Sequence, residues 1–169
     1  MTMDMSAPSG TPTCWIIAYG NPQRGDDGIG LLVGQQLRRH FGHDTNVGIC
    51  TLPQLDLTML EEVQTADHLI FVDACVGGDD ATVLWSAVKP NLDGWAMGSH
   101  HLEPPVFLGL LQLLYERCPT AWLVTVPGYR FDLEERLSPE AHLGAERAVA
   151  QIADWLWINR IAITGGGPC

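Results

Sequence analysis

Three short stretches of this sequence carry residue types at spacings that suit chemistry. The densest is GNPQRGDDGIG, from Gly20 to Gly30, with Asp26 and Asp27 side by side. The second is Asp73 in the apolar run FVDACV, and the third is SHHLEPP over 99–105, with His100 and His101. An ionised Asp in an apolar strand is costly unless it is paired or lies at the strand mouth. One carboxylate from the first loop, one from a strand end and one imidazole from a later loop form an O, O, N set. Three ligands with open positions suit a catalytic or transient metal site, whereas a structural site is closed with four. Carboxylate and neutral imidazole suit nickel or zinc.

Each of these residues also has a plainer reading. Asp26 reads as an acid offsetting a helix dipole and capping that helix. Asp73 taken alone caps a following turn, and either His taken alone lies in solvent. Asp27 is harder to assign this way, because Gly28 on its C-terminal side lets a metal or backbone come close. Other chemistries fit worse. A phosphate loop needs Gly-Lys-Ser/Thr, but Gly25 is followed by two acids, and the glycine spacing does not make GxGxxG. Two carboxylates there would repel a phosphate. The spacing of a calcium loop and a GxSxG elbow are absent from the sequence. Cys75 lies two residues past Asp73 and reads as a small buried apolar residue.

These residues need a scaffold, and the sequence supplies alternating strands and helices. CWIIAY (14–19) is a continuous apolar run ended by Gly20, the pattern of a buried parallel strand. A helix follows over 29–41, with Leu32, Leu37 and Phe41 at helical intervals. Strands are expected at 47–52, 68–76, 82–88 and 121–126, and helices at 55–63, 105–116 and 138–159. Ser138-Pro139-Glu140 opens the last helix with a cap, a first-turn proline and an acid. The pattern predicts an α/β fold: one domain with a twisted, mostly parallel sheet and helices on both faces. Ligands in such folds bind beyond the carboxyl ends of the strands. Asp27 and Asp73 both fall there.

Composition narrows the partners. The chain has 169 residues, 46% apolar and 17% charged, enough for a single core. Twenty acids against nine bases give a net charge of -11, which disfavours nucleic acid and anionic membranes. The five cysteines include no CxxC pair, so neither a disulfide scaffold nor a structural zinc site is expected. Residues 1–13 read as a flexible leader without a signal peptide, 14–160 as one domain, and 161–169 as a flexible tail. A cytoplasmic location is expected.

The order GNPQRGDDGIG, FVDACV, SHHLEPP resembles the nickel–iron hydrogenase maturation endopeptidases. Their first-strand loop has the form Gly-Asn-x-x-x-x-Asp-Asp/Glu-Gly-x-Gly, matched from Gly20 to Gly30, followed by a strand-end Asp and a His-x-Leu loop. The likeness spans residues 15 to 158. It implies a hydrolase of aspartyl-type endopeptidase activity. Such an enzyme removes the C-terminal extension of the hydrogenase large-subunit precursor after nickel insertion. By the same resemblance, Asp27, Asp73 and His100 are the catalytic and metal-contacting residues. The nickel is carried by the precursor, with no permanently bound metal implied. The HHL sequence leaves His101 as a second candidate, and the His-x-Leu frame favours His100. The stretch 126–139, with Arg130 and Phe131, is expected to help select the partner. The contrasting expectation is a non-catalytic nickel chaperone using the same three ligands, although the poly-His tails and thiolate clusters of storage proteins are missing. A nucleotide- or flavin-binding domain on the same architecture is disfavoured by the acidic first loop.

Overall fold

The computed structural model describes residues 11–77, 82–93, 102–159 and 161. Ten of the residues assigned to the leader, 1–10, and residues 162–169 of the assigned tail lie outside that set. The described Ile161 is buried, and its carbonyl accepts from Asn46 Nδ2 at 3.2 Å.

Five strands form one sheet: β1 (Cys14–Tyr19), β2 (Val47–Leu52), β3 (His68–Val76), β4 (Leu84–Val88) and β5 (Thr120–Gly128). Their order is β2-β1-β3-β5-β4. The first four in that order run parallel, and β4 joins the edge antiparallel to β5. The helices are α1 (Ile29–Phe41), α2 (Met59–Val63), α3 (Pro104–Tyr115) and α4 (Pro139–Ile158), and a single 3-10 turn, Gly25–Gly28, precedes α1.

The central strands are apolar throughout because helices cover both faces. Alternation sends Ile16, Ala18, Ile70, Val72, Val124 and Val126 to the core shared with α1 and α4. Ile17, Leu69 and Phe71 face the other way, against Phe107, Leu108 and Leu111 of α3. β4 lies at the sheet edge, and accordingly its Leu84, Ser86 and Ala87 are exposed. The Ser138 side chain caps α4, with Oγ accepting from the Ala141 N–H at 3.1 Å.

Two elements are shorter than the sequence predicts. The helix expected over 55–63 starts at Met59, because the Asp56 carboxylate takes the Thr58 N–H at 2.8 Å and holds 56–58 as a turn. The strand expected from 82 starts at Leu84. Among the described residues, no helix is long and apolar enough to cross a membrane.

Candidate active site

The loop from β1 to α1 is folded tightly back on itself. The Gly20 N–H donates to the Leu52 carbonyl at 3.1 Å, one more rung of the β1–β2 ladder past Tyr19. A Cβ on Gly20 would lie 1.9 Å from the Asp27 carbonyl oxygen, so only glycine lets the two parts of the loop meet. A Cβ on Gly30 would lie 2.2 Å from the Tyr19 carbonyl, so α1 also starts hard against the end of β1. These approaches hold Asp27 at the carboxyl edge of the sheet. Its Oδ2 accepts from the Asn21 N–H at 3.1 Å.

Asp26 has a different part from the helix cap expected for it. α1 has Gly28 at its N-cap and no side-chain cap bond. The Asp26 carboxylate is fully buried and reaches across to the segment between β5 and α4. Oδ1 accepts from the Ser138 N–H at 2.7 Å. Oδ2 accepts from the N–H groups of Tyr129 (2.7 Å) and Arg130 (3.0 Å) and from the Ser138 hydroxyl (2.7 Å). Two backbone bonds run alongside, from the Gly25 N–H to the Glu134 carbonyl and from the Asp26 N–H to the Arg130 carbonyl. Burial by itself would raise the Asp26 pKa; the donors from Ser138, Tyr129 and Arg130 outweigh it and hold the carboxyl below its ordinary range. Asp26 thus fastens the loop bearing Asp27 to the segment 129–138.

Asp73 lies just past Val72, the last residue of β3 in register with β1, half-buried, with Oδ1 accepting from the Ala74 N–H at 2.8 Å. Burial pushes its carboxyl up to about 6; the Ala74 N–H acts against that shift, the Asp27 charge adds to it, and the Tyr19 hydroxyl also opposes it. The two carboxylates are therefore close enough to repel, as expected if both lie at one sheet edge.

Sequence reasoning missed Tyr19. Ala18 is in register with Val72, which puts Tyr19 level with Asp73, and both follow the alternation of Ile17 and Phe71 onto the α3 face. The buried Tyr19 hydroxyl is pushed well above its ordinary range by burial, then by the Asp73 charge and its hydrogen bond to Asp73, and last by Glu103. Glu103 is the residue before α3, so a third carboxylate faces this corner. No local motif marks Tyr19, and only the β1–β3 register reveals it.

His100 and His101 lie outside the described residues. Among the described residues, no three His, Cys, Asp or Glu side chains form a group that could hold a metal ion. Asp27 and Asp73 form two thirds of the expected O, O, N set. Mutual repulsion between two carboxylates is relieved by a cation placed between them, so the pair suits a divalent metal that brings further ligands of its own.

Neither a family model nor a curated relative matches the sequence at a significant level. Solved structures do match the fold. A [NiFe] hydrogenase maturation protease, HycI from Thermococcus kodakarensis KOD1, is 25% identical with a TM-score of 0.69, over 88% of this chain and 95% of that one. An endopeptidase from Escherichia coli, solved in solution, is 22% identical with a TM-score of 0.69, over 90% and 96% of the two chains. The hydrogenase maturating endopeptidase HybD from E. coli is 20% identical with a TM-score of 0.67, over 86% and 93%.

Proposed function

We propose, from this chain's place among the hydrogenase maturation proteases, that it is an endopeptidase that removes the C-terminal extension of a nickel–iron hydrogenase large-subunit precursor after nickel insertion. The observation that carries the reading is the placement of Asp27, after β1, and Asp73, on the neighbouring β3, at the carboxyl edge of the sheet. Asp27, Asp73 and His100 contact the nickel that the precursor brings, and that contact anchors the scissile peptide beside them. The nickel is part of the substrate, and the chain needs no resident metal.

One of the two carboxylates accepts a proton from the water that attacks the scissile carbonyl and returns it to the leaving amine. The Tyr19 hydroxyl and the Ala74 N–H keep the Asp73 carboxylate oriented.

The test is a processing assay with nickel-loaded and nickel-free precursor, read as loss of mass at the C-terminus. Cleavage of the loaded form alone is expected. Asp27→Ala and His100→Ala should fold normally and abolish processing; normal processing by either would overturn the site assignment. Binding of the loaded precursor without any cleavage would replace the peptidase by a nickel chaperone.

A further inference from the structure

β3 outruns its neighbour. The register of β1 on β3 ends with Ala18 opposite Val72, whereas β5 continues alongside β3 to Gly128 opposite Val76. β1 itself ends at Tyr19, and the chain passes into the loop that leads to the 3-10 turn Gly25–Gly28. Among the described residues, 73–76 therefore have a partner strand on one side only.

The direction of the free backbone groups follows from the bonds around them. The Gly77 N–H donates to the Gly128 carbonyl at 2.7 Å, toward β5. Backbone groups of successive residues point to opposite sides of a strand. Asp73 and Cys75 therefore share the β5 side with Gly77, and Ala74 and Val76 face the side that β1 leaves open. In agreement, the Ala74 N–H is taken by the Asp73 carboxylate at 2.8 Å, a bond that a longer β1 would supply. Val76 is 83% exposed.

An unpaired strand edge recognises another extended backbone. We propose that the Asp73–Val76 overhang is the docking edge for the substrate. An extended segment of the precursor adds to β3 along the line that β1 leaves open, with the bond to be cut beside Asp27 and Asp73. This rests on the peptidase reading. From Asp73 to Val76 the edge is about 10 Å long, at ~3.3 Å per residue, so it grips about three substrate residues. Main-chain pairing gives the grip, and the exposed Val76 side chain offers an apolar contact to a neighbouring residue of the added strand. A second copy of this chain is a poor occupant, because two molecules of charge -11 would meet at their acidic edges.

The test is residue-resolved amide exchange on the full chain, with and without nickel-loaded precursor, alongside the processing assay. The Val76 N–H should slow about tenfold or more when the precursor binds, and the Gly77 N–H, already bonded to Gly128, should change little. Val76→Pro deletes the N–H on the open side and takes the apolar Val76 side chain with it. It should raise KM for the precursor about tenfold, with kcat within about twofold. Should that variant melt early, the exchange measurement on the unaltered chain still decides. Processing without protection at Val76 would overturn the docking edge and leave the peptidase. Protection without processing would keep the edge and overturn the peptidase, and neither would overturn both.

Discussion

Replacing Asp26 by Asn tests the clamp between the first loop and the segment 129–138. The two side chains have nearly the same shape, so what changes is charge and acceptor capacity. The carboxylate accepts four hydrogen bonds, three from backbone N–H groups and one from the Ser138 hydroxyl. With its oxygen in the place of Oδ2 the Asn retains three of these at best, and its NH2 group then faces the Ser138 N–H. Each buried donor left without a partner costs about 1–3 kcal/mol, and loss of the negative charge weakens the bonds that survive. Relief of the carboxylate's burial offsets part of this. The net expectation is a destabilisation of about 2–4 kcal/mol, in the range of broken buried networks. In urea unfolding at pH 7, with a slope of about 1–3 kcal/mol per molar, the midpoint should fall by roughly 1–2 M. The pH dependence supplies a second check. Asp26 has a folded pKa below its unfolded value of 3.8, so its contribution is present above 3.8 and is lost as pH falls through the folded value. The gap between wild type and Asp26→Asn should therefore be full at pH 6–7 and shrink below about pH 4. A loss under about 0.5 kcal/mol, or a gap that does not vary with pH, would refute the clamp.

Asp73→Asn should act in the opposite sense on stability while abolishing processing. Its folded pKa of about 6 lies above the unfolded 3.8, so the charged form is a liability that grows as pH rises through about 6. The rise corresponds to at most ~3 kcal/mol, reduced by partial solvent screening to about 1–2 kcal/mol gained by the variant at pH 8 and none below pH 4; melting curves at both pH values check it. Gly20→Ala would force its Cβ onto the Asp27 carbonyl and displace the loop, with an expected loss of about 2–4 kcal/mol in urea unfolding and of nearly all processing. Tyr19→Phe keeps the ring and removes the hydroxyl on Asp73, and should lower kcat/KM about 3- to 10-fold with little change in melting temperature.

The sequence alone determined the elements and the edge at which the acids lie. Parallel strands covered on both faces must be apolar throughout, so CWIIAY and HLIFVDACV announce β1 and β3 locally, and Ser138-Pro139 announces the start of α4. The carboxyl ends of parallel strands share one edge, so Asp27 and Asp73 could be assigned to it before any contact was known. Tertiary structure decided what those residues touch. Apolar runs do not encode strand order or direction, so the place of β4, antiparallel at the edge, was hidden. Tyr19 meets Asp73 only through the register of two strands more than fifty residues apart. Asp26 looked like a cap on its own helix because adjacent acids and a following helix are a local pattern. Its actual donors lie 103, 104 and 112 residues away. Three of them are backbone N–H groups, which every residue but proline carries and which leave no mark in a sequence.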